Sequence, residues 1–227
     1  MTKKITGPLF AFAVFILTGC GNSKHFVSKD SAGQIREILL AGPFTSVAII
    51  EKGNNQEIDN TISQEVLNEM NNQIATAIPD SIQVQRLKAD SALESDILSQ
   101  SHKIINAIRQ KISVKRVEIP GKLIEIMDSV HQDFCFIILE GGLTRTKANY
   151  IKQLYYTRPA VSMISLGYLD YIPYRQNSGV IGFIIDRKRK QLAYFKKIVW
   201  PDRDPTEKIV IKGQLHDLMM SYFQLAR

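Results

Sequence analysis

The stretch Phe134-Cys135-Phe136-Ile137-Ile138-Leu139-Glu140 is the most apolar strand candidate in the chain. A short, continuous apolar run of this kind is typical of a strand that is buried on both faces, at the centre of a sheet. Two further apolar runs, 179–186 and 191–200, are separated by Arg187-Lys188-Arg189-Lys190. They predict a β-hairpin whose turn carries four positive charges.

Helical periodicity alternates with strand candidates before this run. Isoleucine, valine and methionine recur every fourth residue from Ile62 to Ile78, which predicts a helix over 61–78. The same reasoning predicts the remaining elements, which are strands over 46–50, 82–87 and 114–119, and helices over 31–40, 91–112, 123–130 and 204–222. This order predicts an α/β (α+β) fold, a single three-layer-like domain with a mixed sheet and a carboxy-terminal β-hairpin followed by a helix. The domain would cover 44–227, with an irregular, Tyr-rich segment at 143–178.

Composition excludes several classes of protein. The 227 residues are 44% hydrophobic and 22% charged, which is ordinary for a globular domain and rules against disorder, collagen, a coiled-coil rod and a multi-span membrane protein. The two cysteines exclude a disulfide framework. The net charge of +7, from 29 basic and 22 acidic residues, is a moderate bias.

The first twenty residues have the layout of an export signal. Lys3 and Lys4 precede an almost uninterrupted apolar run, Ile5 to Leu17, which is shorter than the roughly 20 residues of a transmembrane helix. Leu17-Thr18-Gly19-Cys20 then resembles the lipobox of bacterial lipoproteins. The resemblance implies that residues 1–19 are a signal peptide and that Cys20 receives diacylglycerol and becomes the acylated amino terminus.

Several expectations follow from that resemblance. The mature chain would have 227 − 19 = 208 residues and a net charge of +5, because Lys3 and Lys4 are lost. Residues 20–43 would form a tether, and Cys135 would be the remaining thiol, buried in its strand. The residue after Cys20 is Gly21. In lipoproteins of enterobacterial type, Asp at this position tends to retain the protein at the inner membrane. The resemblance therefore favours the outer membrane, facing the periplasm, and argues against nucleic acid as a partner.

Behind a lipobox, this order of elements resembles the domain of the curli-secretion channel lipoprotein and of the lipoprotein activators of penicillin-binding proteins. The features that carry the resemblance are Val47–Ile50, the helix Ile62–Ile78, Phe134–Gly141 and Val180–Phe195. The family's Pro-Phe after the first strand is absent, since Glu51-Lys52 stands there. Such domains are non-enzymatic and bind other envelope proteins, which is what the resemblance implies here.

Two groups of residues are candidate binding surfaces. Tyrosine combines a large contact area with a polar tip and is common at binding surfaces. The tyrosines of the 143–178 segment are therefore candidates for a partner site, and half-buried packing is the alternative. These residues are Tyr155, Tyr156, Tyr168, Tyr171 and Tyr174. The cations of the hairpin turn could contact anionic lipid headgroups or simply keep the turn solvated: Arg187, Lys188, Arg189 and Lys190.

Evidence for catalysis is slight. His131, Asp133 and Cys135 would share one face of an extended strand and could hold zinc, although a strand entry with a buried Cys is the simpler interpretation. Glu140-Gly141-Gly142 predicts a turn, without the remainder of a phosphate-binding pattern. The sequence therefore predicts no cofactor, no metal site, no catalytic residues and no enzyme.

The sequence favours a lipid-anchored docking or assembly factor for another envelope component. The alternatives are a subunit of a secretion or conjugation pore, with membrane strands in 143–178, and a metal-dependent envelope enzyme. Formation of a homo-oligomer stays open.

Overall fold

The computed structural model describes residues 25–28, 34–110, 113–164 and 173–223, and the predictions for Cys20 and for residues 1–19 lie outside these ranges. Within these ranges the strands are β1 (His25–Val27), β2 (Glu37–Ile50), β3 (Gln56–Ile58), β4 (Gln83–Arg86), β5 (Phe134–Arg145), β6 (Gln176–Asp186) and β7 (Gln191–Pro201). The helices are α1 (Asn60–Ala77), α2 (Ser91–Arg109), α3 (Gly121–Ser129), α4 (Lys147–Lys152), α5 (Arg158–Ile164) and α6 (Lys208–Phe223).

The described strands form one mixed sheet in the order β1-β7-β6-β5-β2-β3, with β4 also paired to β2. β5 runs parallel to β2 and antiparallel to β6, and β6 and β7 form the predicted hairpin. Every residue of β5 from Phe134 to Leu143 is buried, because helices cover both faces of the sheet. The predicted α/β fold, with Phe134–Glu140 in a central strand, is confirmed.

Two apolar cores lie on opposite faces of the sheet. On one face, α1 and α6 pack Val66, Met70 and Leu218 against alternate residues of the strands. On the other face, α2 and α3 contribute Ile104 and Met127. The helices α1 and α2 begin at carboxylate caps. Asp59 accepts a hydrogen bond from the Ile62 amide at 2.9 Å, and Asp90 accepts one from the Leu93 amide at 2.8 Å.

The amino-terminal part of the domain differs from the prediction. The predicted helix over 31–40 is wrong, since β2 runs from Glu37 to Ile50 and buries both its faces. Gly42-Pro43 lies inside β2, where the register with β5 shifts between Ala41 and Phe44. Gly42 has φ +100 and lies so close to the Ile138 carbonyl that a Cβ would be 2.9 Å from its oxygen. Residues 25–27 and 37–43, which had been assigned to the tether, thus belong to the sheet.

The predicted turn at Glu140-Gly141-Gly142 is also wrong, because β5 continues through it to Arg145. Gly142 serves close packing rather than a turn: a Cβ there would lie 2.7 Å from the Cβ of Pro205, which precedes α6. Part of the "irregular" segment is therefore strand up to Arg145, helix over 147–164 and strand again from Gln176. The membrane strands that the pore alternative required in this segment are replaced by helix over 147–164.

Two smaller corrections concern short apolar runs. Val114–Arg116 forms a 3-10 turn instead of the predicted strand, and Val117 and Ile119 are buried in the second core. The last helix begins at Lys208, because the Asp204 carboxylate accepts hydrogen bonds from the backbone amide and hydroxyl of Thr206 and holds a turn there.

The strand directions give the sheet two distinct ends. Ile50, Arg145, Gln176 and Pro201 lie together at one end, which we call the Arg145 end. The turn between β6 and β7 lies at the opposite end, next to Phe134. The strand β1 pairs antiparallel with β7, so its first residue, His25, is the one nearest the Arg145 end.

Candidate functional site

A helical segment leaves the sheet at the Arg145 end and carries two of the predicted tyrosines, Tyr155 and Tyr156. This projecting segment, residues 147–164, consists of α4, a π-helical turn at Gln153–Thr157, and α5. Pro159 has no N–H for the carbonyl four residues earlier, and the helix widens into the π turn just before it. The proline therefore does not stop the helix.

Buried hydrogen bonds fix the base of the projecting segment to the domain. Asn149 is buried, and its Nδ2 donates to the Glu51 carbonyl at 2.7 Å and to Asn54 Oδ1 at 3.0 Å. Its Oδ1 accepts a hydrogen bond from Arg145 Nη1 at 2.9 Å. The side-chain amide of Asn149 thus joins the end of β5 to the loop after β2. Sequence analysis missed Asn149, because no local pattern marks a residue whose partners lie almost a hundred positions away.

Arg145 also ties Tyr174 to this base. Its Nε donates to the Tyr174 carbonyl at 3.0 Å, and its backbone amide donates to the Arg175 carbonyl at 2.7 Å. Gln153 adds a more exposed hydrogen bond to Asn54 Oδ1 at 3.0 Å. Arg145 therefore holds together the point where the chain leaves β5 and the point where it returns before β6.

Beyond Gln153 the projecting segment exposes large apolar side chains. Tyr155 and Tyr156 are 73% and 72% exposed, and Met163 and Ile164 are 78% and 85% exposed. With Ile151, these make five of the eight large hydrophobic side chains that are exposed in the described part of the chain. A concentration of apolar side chains on one projecting element is typical of an interaction surface.

The charge of this element has one sign. The sequence contains no Asp or Glu between Glu140 and Asp170, and Lys147, Lys152 and Arg158 are exposed. Tyr174 is exposed close to the base of the segment. The predicted site residues Tyr168 and Tyr171 lie outside the described residues. The surface is therefore aromatic, aliphatic and cationic.

The basic hairpin turn lies at the opposite end of the sheet, and carboxylates from nearby elements contact its cations. Arg187 pairs with Asp128 at 2.5 Å and with Asp133 at 2.6 Å, and Lys188 pairs with Asp133 at 2.5 Å. Arg189 pairs with the buried carboxylate of Asp186 at 2.7 Å. Hydrogen bonds from Arg187 and Lys188 lower the pKa of the Asp133 carboxyl. These pairs reduce the positive charge that the turn, Arg187 to Lys190, presents to an anionic surface.

The cluster considered for zinc does not have the geometry that was expected. His131 lies in a turn with φ 54, and both His131 and Asp133 precede β5, so the three side chains do not share a strand face. Cys135 is buried, and burial raises the pKa of its thiol to about 12. In the ranges that the structure describes, no group of three or more His, Cys, Asp and Glu side chains could hold a metal ion.

A buried carboxylate is the most unusual ionisable group of the domain. Glu140 shares a face of β5 with Phe136 and Ile138, is 1% exposed, and has no hydrogen-bond partner on either carboxylate oxygen. The nearby Ser178 hydroxyl donates to Gln214 Oε1 of α6 at 2.9 Å. Burial raises the pKa of Glu140 to about 8. The signal in the sequence is a charged residue at the end of the most apolar run.

Comparisons with known proteins give a loose structural resemblance. No protein-family model matches the sequence, and no curated protein matches it. Among solved structures, the chain is similar to the PelC dodecamer from Paraburkholderia phytofirmans, with a TM-score of 0.39, 8% identity, and 89% of this chain and 96% of that chain covered. It is similar to a DUF4136 family protein from Bacteroides thetaiotaomicron, with a TM-score of 0.31, 9% identity, and 89% and 98% covered. It is also similar to the LpoB C-terminal domain from Salmonella enterica, with a TM-score of 0.27, 9% identity, and 85% and 94% covered.

Proposed function

We propose that the chain is an envelope lipoprotein that is attached to a membrane through Cys20 and docks to another envelope component through the projecting segment 147–164. It acts by binding and catalyses no reaction. Its place is the outer membrane, facing the periplasm, as Gly21 after Cys20 favours. None of the helices in the described ranges is long and apolar enough to cross a bilayer.

The observation that carries the docking proposal is the contrast between the base and the tip of the projecting segment. At the base, Asn149 and Arg145 make hydrogen bonds of 2.7–3.0 Å to the domain. At the tip, Tyr155, Tyr156 and Met163 are more than 70% exposed. A segment that is fixed at its base keeps its orientation, so less conformational entropy is lost when a partner binds the tip. Aromatic side chains supply much of the binding energy at such surfaces.

The lipid anchor is supported by the lipobox-like sequence Leu17-Thr18-Gly19-Cys20 after a charged and apolar leader. Lipid chains contribute ~0.8 kcal/mol per buried methylene, so two or more chains hold a protein stably at a bilayer. We expect Cys20→Ser to abolish recovery of the protein in membranes while the domain keeps its circular dichroism spectrum. Recovery of this variant in salt-washed membranes would contradict the anchor.

Site-specific crosslinking in living cells tests the docking surface. A photo-reactive phenylalanine analogue replaces Tyr155 or Tyr156 in the full chain, and Val84 on β4, which is also exposed, receives the same analogue as the matched control. We expect one discrete crosslinked product from positions 155 and 156 and none from position 84. Adding Asn149→Ala, which removes the hydrogen bonds at the base, should lower the yield.

Two results would overturn the docking proposal. The first is the same product from position 84, because that would show contact with any exposed surface. The second is the absence of a product from both tyrosine positions in a chain that is folded and located in membranes. The membrane location is measured separately, so a failure of the docking surface is distinguished from a failure of the anchor.

A further inference from the structure

An apolar groove lies at the Arg145 end of the sheet, between the end of β7 and the first turns of α6. Its volume is about 530 Å³, and its lining consists of Trp200, Pro201, Arg203, Ile209, Val210 and Gly213. Ile209 is 77% exposed at its rim, although it belongs to a helix that buries its neighbours Val210 and Ile211. The groove is separate from the projecting segment, which follows β5.

Gly213 allows the indole of Trp200 to lie directly on the backbone of α6. A Cβ at position 213 would overlap the six-membered ring of Trp200. The indole is therefore half-buried, with one side against the helix and its remaining surface in the groove. Trp200 and Ile209 together form an apolar surface at one end of the molecule.

The register of β1 directs its first residue, His25, towards the same end of the sheet. His25 is opposite Lys196, and β7 continues from there to Pro201. At about 3.4 Å per residue, those five residues of strand span about 17 Å. Cys20 precedes His25 by five residues, which reach at most about 17 Å when extended. Cys20 can therefore come level with Pro201.

We propose that this groove rests on the bilayer that holds the lipid anchor, with Trp200 and Ile209 in the interfacial layer. The inference rests on the proposed function, since it requires an acylated Cys20. An anchor within about 17 Å keeps this end of the domain at the membrane surface, so that even a weak contact is made at high effective concentration. Tryptophan favours that layer, because its ring is apolar and its indole N–H is polar.

The contact is apolar rather than electrostatic. Exposed cations and carboxylates alternate around the groove, where Arg203 and Lys208 stand beside Asp202 and Glu207. With both signs of charge present, the attraction to anionic headgroups is small. The contact should therefore persist in high salt, which screens exposed charges. The basic turn at Arg187 to Lys190 lies at the other end of the hairpin and takes no part.

Fluorescence tests this orientation, because Trp200 is the only tryptophan in the sequence. The acylated full chain is placed in phosphatidylcholine vesicles that contain lipids with a nitroxide near the headgroup. We expect about a twofold or greater loss of Trp200 emission, because the indole lies in the interfacial layer, and the same loss in high salt. Ile209→Ser should reduce the loss, and the matched control Val84→Ser, at an exposed position on β4, should leave it unchanged.

Each other outcome overturns the inference. Emission that is equal in labelled and unlabelled vesicles means that the groove points away from the bilayer. Protection of Trp200 from a water-soluble quencher without quenching by the labelled lipid means that a protein covers the groove. Mass spectrometry of the same sample tests the anchor by itself: acyl mass on Cys20 without quenching refutes the orientation alone, and no acyl mass refutes both proposals.

Discussion

Glu140→Gln removes a charge that the fold buries without a hydrogen-bond partner. The side chain is 1% exposed between the sheet and α6, and glutamine has nearly the same shape. In the folded protein the carboxyl is protonated more readily than in the unfolded chain, because burial disfavours the ionised form. The variant lacks this titration, so its stability relative to the parent protein must depend on pH.

The direction and size of this pH dependence follow from the pKa of Glu140, which rises from its ordinary value of 4.5 to about 8 on folding. At pH values below 4.5 the group is protonated in both states and costs nothing. As the pH rises from 4.5 to about 8, the unfolded state ionises first, and the free energy of unfolding falls. A tenfold difference in proton affinity is about 1.4 kcal/mol, so the full loss is about 5 kcal/mol.

Urea unfolding of the full chain, in a Cys20→Ser background that prevents acylation, measures the effect by circular dichroism. Between about pH 5 and pH 8 we expect the free energy of unfolding of Glu140→Gln to increase by about 3–4 kcal/mol relative to the parent. Glu125→Gln makes the same chemical change at an exposed position of α3 and is the matched control. Its stability should follow that of the parent at every pH.

A constant difference between Glu140→Gln and the parent across this pH range would refute the reasoning. It would mean that the carboxylate is solvated or paired in the folded protein. The absolute stability of the variant is a weaker test, because the glutamine amide brings its own donors into the same buried position. The change of the difference with pH isolates the ionisation of Glu140.

Three further changes test other parts of the structure. Asn149→Ala should lower the free energy of unfolding by about 1–3 kcal/mol, since it removes the buried side-chain amide that bonds the Glu51 carbonyl, Asn54 and Arg145. Gln153→Ala, at a more exposed hydrogen bond, should lower it less in the same urea titration. Gly213→Ala should lower the free energy of unfolding by about 1–3 kcal/mol, because overlap with the indole outweighs the better helix propensity of alanine. The emission of Trp200 should shift to longer wavelength. A more stable variant would contradict this packing. Asp133→Asn releases Arg187 and Lys188 from their shared carboxylate. The unacylated chain should then bind anionic vesicles several-fold more tightly at low salt, as measured by sedimentation. Unchanged binding would count against the turn as a lipid contact.

The elements that follow from local sequence were predicted well. The spacing of Val66, Met70 and Ile74 along α1 places one face in the core, and the apolar run at Phe134 forms a central strand. The errors fall where distant residues decide. Glu37–Ala41 is strand because β5 and β4 pair with it on either side, and Gly142 stays in β5 because Pro205 packs against it. Neither partner is near in sequence.

The sequence by itself determined the alternation of helices and strands, the hairpin and the expectation of a lipid anchor at Cys20, because periodicity and short motifs act over a few neighbouring residues. Only the tertiary structure decided which surfaces the domain presents. It pairs the cations of the hairpin turn with Asp128 and Asp133, and it holds a tyrosine-bearing helix outward through Asn149. It also pairs His25 with Lys196, so that the first residue of β1 is the one nearest the end of the sheet where Trp200 lies. Strand pairing and side-chain hydrogen bonds join residues that are far apart along the chain, and a local pattern carries no information about such partners.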